Sequence, residues 1–586
     1  MKKIVLATLG TALLLSATSC NKDILDENPT SVLTPAFLQT AQGVEAGVTG
    51  VYSGLRQLYG NDAAFFTTEA GTDLWTNGIS SSSGLSDYNN NDLTPLNDGS
   101  HSFIWSVAYS QINNANGVLQ YGPKATGLTP ARVTQLLAEA KLLRAQYYFV
   151  LVQDFGDVPL MLSFVDAPTK DVTRAPMADV YTQIIKDLTE SLASIADKPA
   201  QPGRVTRATA LHLLSKVYLT RATSSAKQSN DYTLAAQYAK ELIDNQGRYG
   251  LGLETDAASV FAEGNENGKE VIFNVQFNGD ATFSRLDGFT FGGENIAAFQ
   301  FRSRYDKLPN MARDIYNGRP FARHCVSYFL ENSYILRDAS GNALESGPTL
   351  RTTDTRYNKW FTTVYTVNSP GANAGSNRAV VGDTAVWYPG RELSAARLAA
   401  IAARTPAPYT VVTPSQYTTE YYPTLNKYDS RARTAVNGFS IRPNIIYRLA
   451  ETYLVAAEAY FYLGNSAQAA TYLNVVRERA GATGKKSQMD ITASQVNIDF
   501  ILDERARELC GEMTRWYDLK RTSNATGNEL LVRMRNTFYA PALVNRANGV
   551  YGSNAAINIK DFHVLRPIPQ QEIDRSSGKT TQNPGY

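Results

Sequence analysis

The chain has 586 residues, of which 43% are hydrophobic and 19% charged, an ordinary globular balance that can bury a large core. Its 56 basic and 54 acidic residues leave a formal net charge of +2, which excludes a strong long-range field toward nucleic acid or an anionic membrane. The 3 Cys and 4 His show neither close CxxC pairs nor HExxH spacing, so we expect no disulfide framework, no metal and no cofactor.

The start of the chain has the pattern of a lipoprotein signal peptide. Two lysines precede an apolar run from Ile4 to Ala17, and small residues lead directly into Cys20. We predict that residues 1–19 are removed and that Cys20 becomes an acylated, palmitate-bearing N-terminus; ordinary secretory cleavage with a free thiol is the alternative. Residues 20–34 are polar and contain Pro, which predicts a lipidated tether. Several acyl chains would anchor the protein stably.

Amphipathic helices are predicted next, and they come in pairs. Thr129 suits an N-cap, Pro130 suits the first helical position, and Gly156 ends this helix. Pro176 opens its partner, whose apolar residues recur every three or four positions. The same pattern predicts further helices over residues 43–59, 103–121, 206–223 and 231–245.

The most regular pair lies in IIYRLAETYLVAAEAYFYLGNSAQAATYLNVVRERAG, which begins at Ile445. Ile446, Leu449 and Tyr453 are predicted to line one helix, Gly464 ends it, and a second helix follows at once. Small residues at the crossing and a pair length of about 34 residues match the tetratricopeptide pattern. Such stripes form the core of helix pairs, so we assign them to the scaffold.

Between residues 251 and 440 the chain is rich in Gly, Asn, Ser, Thr and Tyr, with short strands predicted over 270–277 and 408–413. The 33 Tyr of the chain suit wet, amphipathic contact surfaces. We therefore predict a mostly α fold, in which a tetratricopeptide-like helical-repeat scaffold carries a loop-rich, partly β irregular region. Loops on a rigid scaffold are where recognition usually occurs.

A charged helix is predicted over residues 504–521. Glu504, Glu508 and Glu512 recur at intervals of four residues, beside Arg505, Arg507 and Arg515. Acidic and basic side chains at this spacing form ion pairs along a helix. We interpret the three glutamates as scaffold ion-pair partners and predict no catalytic residue.

Five segments together resemble the SusD/RagB family. They are the lipoprotein start with ILDENPTSVLT, then EAKLLRAQYYFVLVQDFGDVPL, RLAETYLVAAEAYFYLG, ILDERARELCGEMTRWYDLKR and LRPIPQQEIDRSSGKTTQNPGY. Their order covers nearly the whole chain. The resemblance implies a SusD-like α-α superhelix with an N-terminal helical region (35–250), a loop-rich insert (251–440) and a C-terminal SusD/RagB helical region (441–586).

The resemblance also implies a function without catalysis. Members of this family are surface-exposed lipoproteins of the outer membrane that capture oligosaccharides and deliver them to a SusC-like TonB-dependent transporter. RagB-like relatives capture oligopeptides with the same partnership, and the sequence does not separate these two ligand classes. A glycoside hydrolase with two catalytic carboxylates and a tetratricopeptide adaptor are the hypotheses from other classes.

The ligand site implied by the resemblance includes the polar segment between the first helices. There Trp75 and Tyr88 would stack on sugar rings, and Asp73, Asn89 and Asn90 would bind hydroxyl groups. The alternative is a solvated loop with Trp75 in the core. In the middle region the candidates are Arg302, Tyr305, Arg304, Trp360 and Trp387. Alternating Asp87, Asn89 and Asn91 lack the Gly and Glu of a calcium loop, so we predict no metal there.

Overall fold

Helices dominate the computed structural model, which describes residues 34–79, 93–97, 99–167, 169–280, 294–338 and 340–586. The predicted signal peptide, Cys20 and residues 20–33 of the predicted tether lie outside these ranges. The helices in the N-terminal half are α1 (Ala41–Gly60), α2 (Asp62–Thr68), α3 (Gly99–Tyr121), α4 (Pro130–Phe155), α5 (Met177–Leu192), α6 (Arg207–Ala222) and α7 (Asp231–Asp244).

The remaining helices are shorter until residue 449. They are α8 (Ala297–Gln300), α9 (Tyr328–Ser333), α10 (Arg356–Trp360), α11 (Ala395–Ala402), α12 (Leu449–Tyr462), α13 (Ser466–Ala480), α14 (Ile498–Leu509), α15 (Arg515–Arg521), α16 (Glu529–Met534), α17 (Ala555–Asn558) and α18 (Gln570–Arg575). None of the helices in these ranges combines the length and apolarity needed to cross a bilayer.

The strands are short and form small separate sheets. They are β1 (Trp75–Asn77), β2 (Val271–Val275), β3 (His324–Val326), β4 (Phe361–Thr362), β5 (Val364–Thr366), β6 (Thr384–Trp387), β7 (Thr410–Val411), β8 (Thr424–Leu425), β9 (Asn444–Arg448), β10 (Ser523–Asn524), β11 (Gly527–Asn528), β12 (Val544–Arg546) and β13 (Gly549–Tyr551). Strands β1 and β3 pair antiparallel, as do β2 and β9, while β5, β6 and β7 form a three-stranded sheet. The predicted strands over 270–277 and 408–413 are confirmed as β2 and β7.

The helix ends follow the signals in the sequence. The Thr129 hydroxyl accepts a hydrogen bond from the Arg132 amide, Pro130 occupies the first position of α4, and Gly156 ends it at a φ of 74°. A residue with a side chain adopts that positive φ only with strain. Thr206 caps α6 in the same way through the Thr209 amide. The predicted helix starts are therefore confirmed at these positions.

Eight helices pack one on the next in a continuous array. Helix α1 packs on α3, α3 on α4, α4 on α5, α5 on α6, α6 on α7, α7 on α12, and α12 on α13. The interfaces bury small and branched residues, among them Ala235, Leu242, Leu454 and Leu473. This is the predicted helical-repeat scaffold, and the mostly α fold class is confirmed. The predicted domain boundaries themselves stay a prediction.

Buried ion pairs hold the C-terminal helices to the middle region. Glu508 of α14 pairs with Arg356, Arg448 and Arg479. Burial raises the pKa of the Glu508 carboxyl, but the three arginines outweigh burial and hold this pKa well below its usual value. Glu504 pairs with Arg356 and with two further arginines, Arg477 and Arg507. The prediction that these glutamates belong to the scaffold is confirmed, although most of their partners come from outside the helix.

Two predictions about local structure were wrong. Ile446 does not lie in a helix, because residues 444–448 form β9 and pair with β2, and α12 begins only at Leu449. The helix predicted over 504–521 is broken between α14 and α15, where Gly511 and Met513 have φ values of 76° and 59°. Backbone in this left-handed region cannot continue a right-handed helix.

Candidate functional site

Asp73 is a structural residue in the core. Its carboxylate is fully buried and accepts hydrogen bonds from Arg515 Nε at 2.7 Å and from Arg533 Nη1 at 2.9 Å. Burial raises the pKa of this carboxyl, but the two guanidinium groups outweigh burial and hold the pKa below its usual value. The predicted role of Asp73 as a hydroxyl partner is therefore corrected, since both oxygens serve arginines inside the protein.

Trp75 is also buried, with 4% of its surface exposed. Its ring packs against Phe301 with centroids 4.6 Å apart, and its Nε1 donates a 2.7 Å hydrogen bond to Glu69 Oε2. A ring enclosed in this way offers no face to a sugar. The predicted stacking platform at Trp75 is corrected to the alternative, a Trp in the core.

Three of the predicted middle-region residues, Arg302, Tyr305 and Trp360, are buried too, while Arg304 and Trp387 are partly exposed. Arg302 is 1% exposed and pairs with Asp429, and the buried Tyr305 donates a 2.7 Å hydrogen bond to the Gly318 carbonyl. Trp360 is 1% exposed, with the Lys427 ammonium 3.9 Å from its ring centroid. Arg302 and Tyr305 are therefore corrected to structural residues. The predicted ligand residues Tyr88, Asn89 and Asn90, with Asp87 and Asn91, lie outside the described residues.

A surface next to β1 and β3 brings arginines and aromatic rings together, and we call it the Arg323 surface. It comprises the partly exposed Asp62, Phe321 and Arg323, which lie against the buried side chains of Phe66 and Gln300. Residues 78 and 79 donate amide hydrogen bonds to the carbonyls of Arg323 and Ala322, so the surface adjoins the point where the chain enters residues 80–92. The Phe321 and Arg323 amides donate in turn to Phe299 and Gln300 carbonyls. Backbone hydrogen bonds to neighbouring segments thus fix residues 321–323 on both sides.

The Arg323 guanidinium is the centre of this surface. Its carbon lies 4.5 Å from the Phe321 ring centroid and 5.3 Å from that of Phe66. It forms an ion pair with Asp62, which lies in the first turn of α2 and also accepts a hydrogen bond from the Gln300 side chain. Cation–π contacts on two rings and one carboxylate together orient the guanidinium.

Further arginines and a tyrosine extend the Arg323 surface. The Arg319 guanidinium lies 5.1 Å from the Phe321 ring centroid, so two arginines share this ring. Tyr316 is 55% exposed and carries the Arg431 guanidinium 4.1 Å from its centroid. Arg433 donates a 2.9 Å hydrogen bond to the Ile315 carbonyl and lies 5.9 Å from the Phe299 ring. The surface therefore offers several fixed donors and an exposed aromatic ring.

Sequence reasoning did not single out Arg319, Phe321 and Arg323. The signal that could have found them is their spacing of two, because alternate residues of an extended segment lie on the same side. Among the described residues, no three His, Cys, Asp or Glu side chains converge as metal ligands.

A cleft of about 810 Å³ lies elsewhere on the molecule, between α9, α14 and the residues before α14. Phe329, Phe500 and Phe538 line it together with Asp503. Arg533, which holds Asp73, also bonds Asp503 at 2.8 Å and lies 5.5 Å from the Phe329 ring. Asp73 therefore supports one wall of this cleft from inside the protein.

The fold defines a class of protein: an array of packed helices that carries the polar and aromatic residues of the Arg323 surface on short helices and loops outside the array. The chain belongs to the SusD family, whose model matches residues 269–586, more than half of the chain. A second family model, described as starch-binding associating with outer membrane, matches residues 23–219.

Similar proteins span from 78% to 98% of the chain. SusD-like protein P2 of Formosa agariphila is 27% identical over 98% of both chains. The starch-binding protein SusD of Bacteroides thetaiotaomicron is 24% identical over 78% of this chain and 74% of its own. A structure described as a laminarin binding SusD-like protein superposes with a TM-score of 0.64 and 25% identity, covering 94% of this chain and all 100% of that one. A SusD homolog from Bacteroides thetaiotaomicron has a TM-score of 0.69 at 19% identity, covering 96% and 100%, and shows the shared fold.

Proposed function

We propose that this protein captures oligosaccharides and does not alter them chemically. The observation that carries the proposal is the similarity over 94% of the chain to a laminarin binding SusD-like protein, at 25% identity and a TM-score of 0.64. The starch-binding SusD of Bacteroides thetaiotaomicron supports the same ligand class. Capture without catalysis agrees with the buried glutamates of α14, whose carboxylates are held by arginines of the scaffold.

The Arg323 surface is our candidate for the capture site. A sugar presents an apolar face of C–H groups and a rim of hydroxyls, so it is bound by an exposed ring beside fixed hydrogen-bond donors. Tyr316 supplies such a ring, and Arg323 supplies donors whose position is fixed by Asp62. Tyr88, Asn89 and Asn90 stay predicted ligand residues.

We also propose that acylated Cys20 anchors the protein to the outer surface of the outer membrane, where it passes its ligand to a SusC-like TonB-dependent transporter. The match of residues 23–219 to a family described as associating with the outer membrane supports this location. Delivery to a transporter requires release, so we expect affinities from about micromolar to millimolar, or about −4 to −8 kcal/mol.

Glycan binding is tested by calorimetry with purified protein against laminarin, starch and xyloglucan oligosaccharides and against a peptide pool. We expect binding to at least one glycan, weakened by about threefold to tenfold in Tyr316→Ala, because an aromatic contact with a sugar ring is lost. Tyr409→Ala is the matched control, since Tyr409 also carries an arginine, Arg404, 5.3 Å from its ring centroid.

Three results would contradict the proposal. Binding to peptides and to no glycan selects the oligopeptide alternative, and shortening of a polysaccharide by the purified protein shows an enzyme. Equal losses in Tyr316→Ala and Tyr409→Ala would remove the Arg323 surface as the capture site.

A further inference from the structure

The aromatic rings of the Arg323 surface already carry arginines. Phe321 has two guanidinium groups near its ring, from Arg319 and Arg323, and Phe66 shares the second of them. A ring covered by a guanidinium cannot stack on a sugar with that face. Contacts of a ligand with this part of the surface therefore go mainly through guanidinium groups.

The carboxylates around the surface already have partners within the protein, and three of them pair with arginines. Asp62 pairs with Arg323, Asp306 pairs with Arg304 and Arg313, and Asp429 pairs with Arg302. The Glu263 carboxylate accepts hydrogen bonds from the backbone amides of residues 431 and 432. These acids hold the arginines in place, and each is engaged before a ligand arrives.

Arg319 lies in a positive environment. Burial lowers the pKa of its guanidinium, and the charges of Arg313 and Arg323 lower it further. Burial and the charge of Arg302 likewise lower the pKa of Arg433. Mutual repulsion of this kind is relieved when an anion binds among the arginines.

Buried donors on the same side lack acceptors within the described ranges. Arg433 is 7% exposed, and its Nε and Nη1 have no hydrogen-bond acceptor there. The Nε of Arg323 is buried without an acceptor as well. Leaving such groups unpaired costs about 1–3 kcal/mol each, more when the group is charged, and these enclosed guanidinium charges make the region under the surface more positive.

We infer that the Arg323 surface selects acidic oligosaccharides, with Arg319 and Arg323 donating hydrogen bonds to a carboxylate or sulfate group of the sugar. The planar guanidinium fork of Arg319 matches both groups, because each offers two oxygens at the right separation. The Nη1 of Arg323 faces Asp62 and its Nε is buried, so Arg323 donates through Nη2. Arg433 adds positive charge from below the surface. This inference rests on the proposed function, since it names the substrate class of the same site.

The test compares three tetrasaccharides of similar size by calorimetry: tetragalacturonate, a sulfated carrageenan tetrasaccharide and neutral galactotetraose. We expect at least one acidic ligand to bind the unmodified protein about tenfold more tightly than the neutral one at ~0.05 M NaCl, with the difference shrinking at ~0.5 M NaCl. The two acidic ligands distinguish carboxylate from sulfate recognition.

Substitutions of single arginines test whether Arg319 and Arg323 bind the acidic group of the ligand. Arg323→Gln and, independently, Arg319→Gln are expected to weaken the preferred acidic ligand by about tenfold and galactotetraose by less than about twofold. Arg397→Gln, an exposed arginine of α11, is the matched control and should change neither affinity. Thermal unfolding of each variant identifies loss of folding, and the second variant keeps the test valid if one does not fold.

The outcomes separate the two proposals. If galactotetraose, laminarin or starch oligosaccharides bind as tightly as the acidic ligands, the inference is overturned and oligosaccharide capture stands. If an acidic ligand binds more tightly than the neutral one but neither variant weakens its binding, the assignment of the site to Arg319 and Arg323 is overturned. If no glycan of any charge binds, oligosaccharide capture fails and the inference fails with it.

Discussion

Glu69 is a buried residue whose protonation makes the stability of the protein depend on pH. Its carboxylate accepts hydrogen bonds from Trp75 Nε1 at 2.7 Å and from the Gly511 and Thr514 amides at 3.2 and 3.3 Å. Burial raises the pKa of this carboxyl to about 7 from 4.5, although the hydrogen bonds oppose the rise. The folded protein therefore keeps a proton that the unfolded chain has already lost between these pH values.

This raised pKa predicts a fall in stability with rising pH. From pH 4.5 to 7 the unfolded state binds fewer protons at this position, so the free energy of unfolding decreases by about 3 kcal/mol across the window. In Glu69→Gln this contribution disappears. Denaturant unfolding below and above the window should show a loss about 3 kcal/mol larger for the unmodified protein than for Glu69→Gln.

Trp75→Phe is the control for this prediction. It keeps the Glu69 carboxyl but removes a hydrogen bond that lowers its pKa, so the fall in stability should persist and extend to higher pH. Equal pH dependence of the unmodified protein and Glu69→Gln would contradict this account, because it would show that folding does not raise the pKa of the Glu69 carboxyl.

At the scale of secondary-structure elements, the break between α14 and α15 changes the direction of the chain at Gly511. Gly511 has a φ of 76°, and a Cβ placed on it would lie 2.4 Å from the Leu425 side chain and 3.3 Å from the Phe301 ring. The break turns the chain, so that Arg515 in α15 reaches Asp73 while Glu508 in α14 stays within its arginine cluster. Both backbone conformation and close packing require a glycine here.

Gly511→Ala is therefore expected to destabilise the protein by about 2–4 kcal/mol, because strain in the backbone adds to overpacking against Leu425. Gly247→Ala is the matched control: no atom lies within 4 Å of its added Cβ, and it should change stability by less than about 1 kcal/mol. Thermal or denaturant unfolding measures both variants. Equal effects of the two substitutions would contradict this account of the break.

The helical scaffold could be predicted from sequence because its signals are local. Thr129, Pro130 and Gly156 mark the ends of α4 within the segment itself. The apolar run at Ile446 was misassigned because only pairing with β2, which is far away in the chain, makes it a strand. Local periodicity does not contain such partners.

The candidate site was harder to predict for the same reason. Asp73 and Trp75 have the residue types of a sugar site, but their partners Arg515 and Glu69 place them in the core. Whether a Trp is stacked on a ligand or buried depends on tertiary packing, which composition does not reveal. Arg323 became a candidate only when the fold brought it beside Asp62 and Phe66.

At the scale of the whole molecule, the proposed attachment to a membrane depends on Cys20, which lies outside the described ranges. If Cys20 is acylated, the intact protein should fractionate with outer membranes and incorporate labelled palmitate, and Cys20→Ala should be released in soluble form without label. A transporter of the SusC type should co-purify with the membrane-bound protein. Membrane association and labelling that persist in Cys20→Ala would contradict the proposed anchor.

The helical array is continuous only because α12 packs on α7, although about two hundred residues of chain separate these two helices. Tyr232 of α7 stacks on Tyr462 of α12 with ring centroids 4.6 Å apart, so this part of α7 stays open to water or to other chains until residues 449–462 have emerged. Contacts this distant in sequence form late, and exposed apolar surface favours aggregation in the interval. We therefore expect the nascent polypeptide to need protection from aggregation until these helices have met.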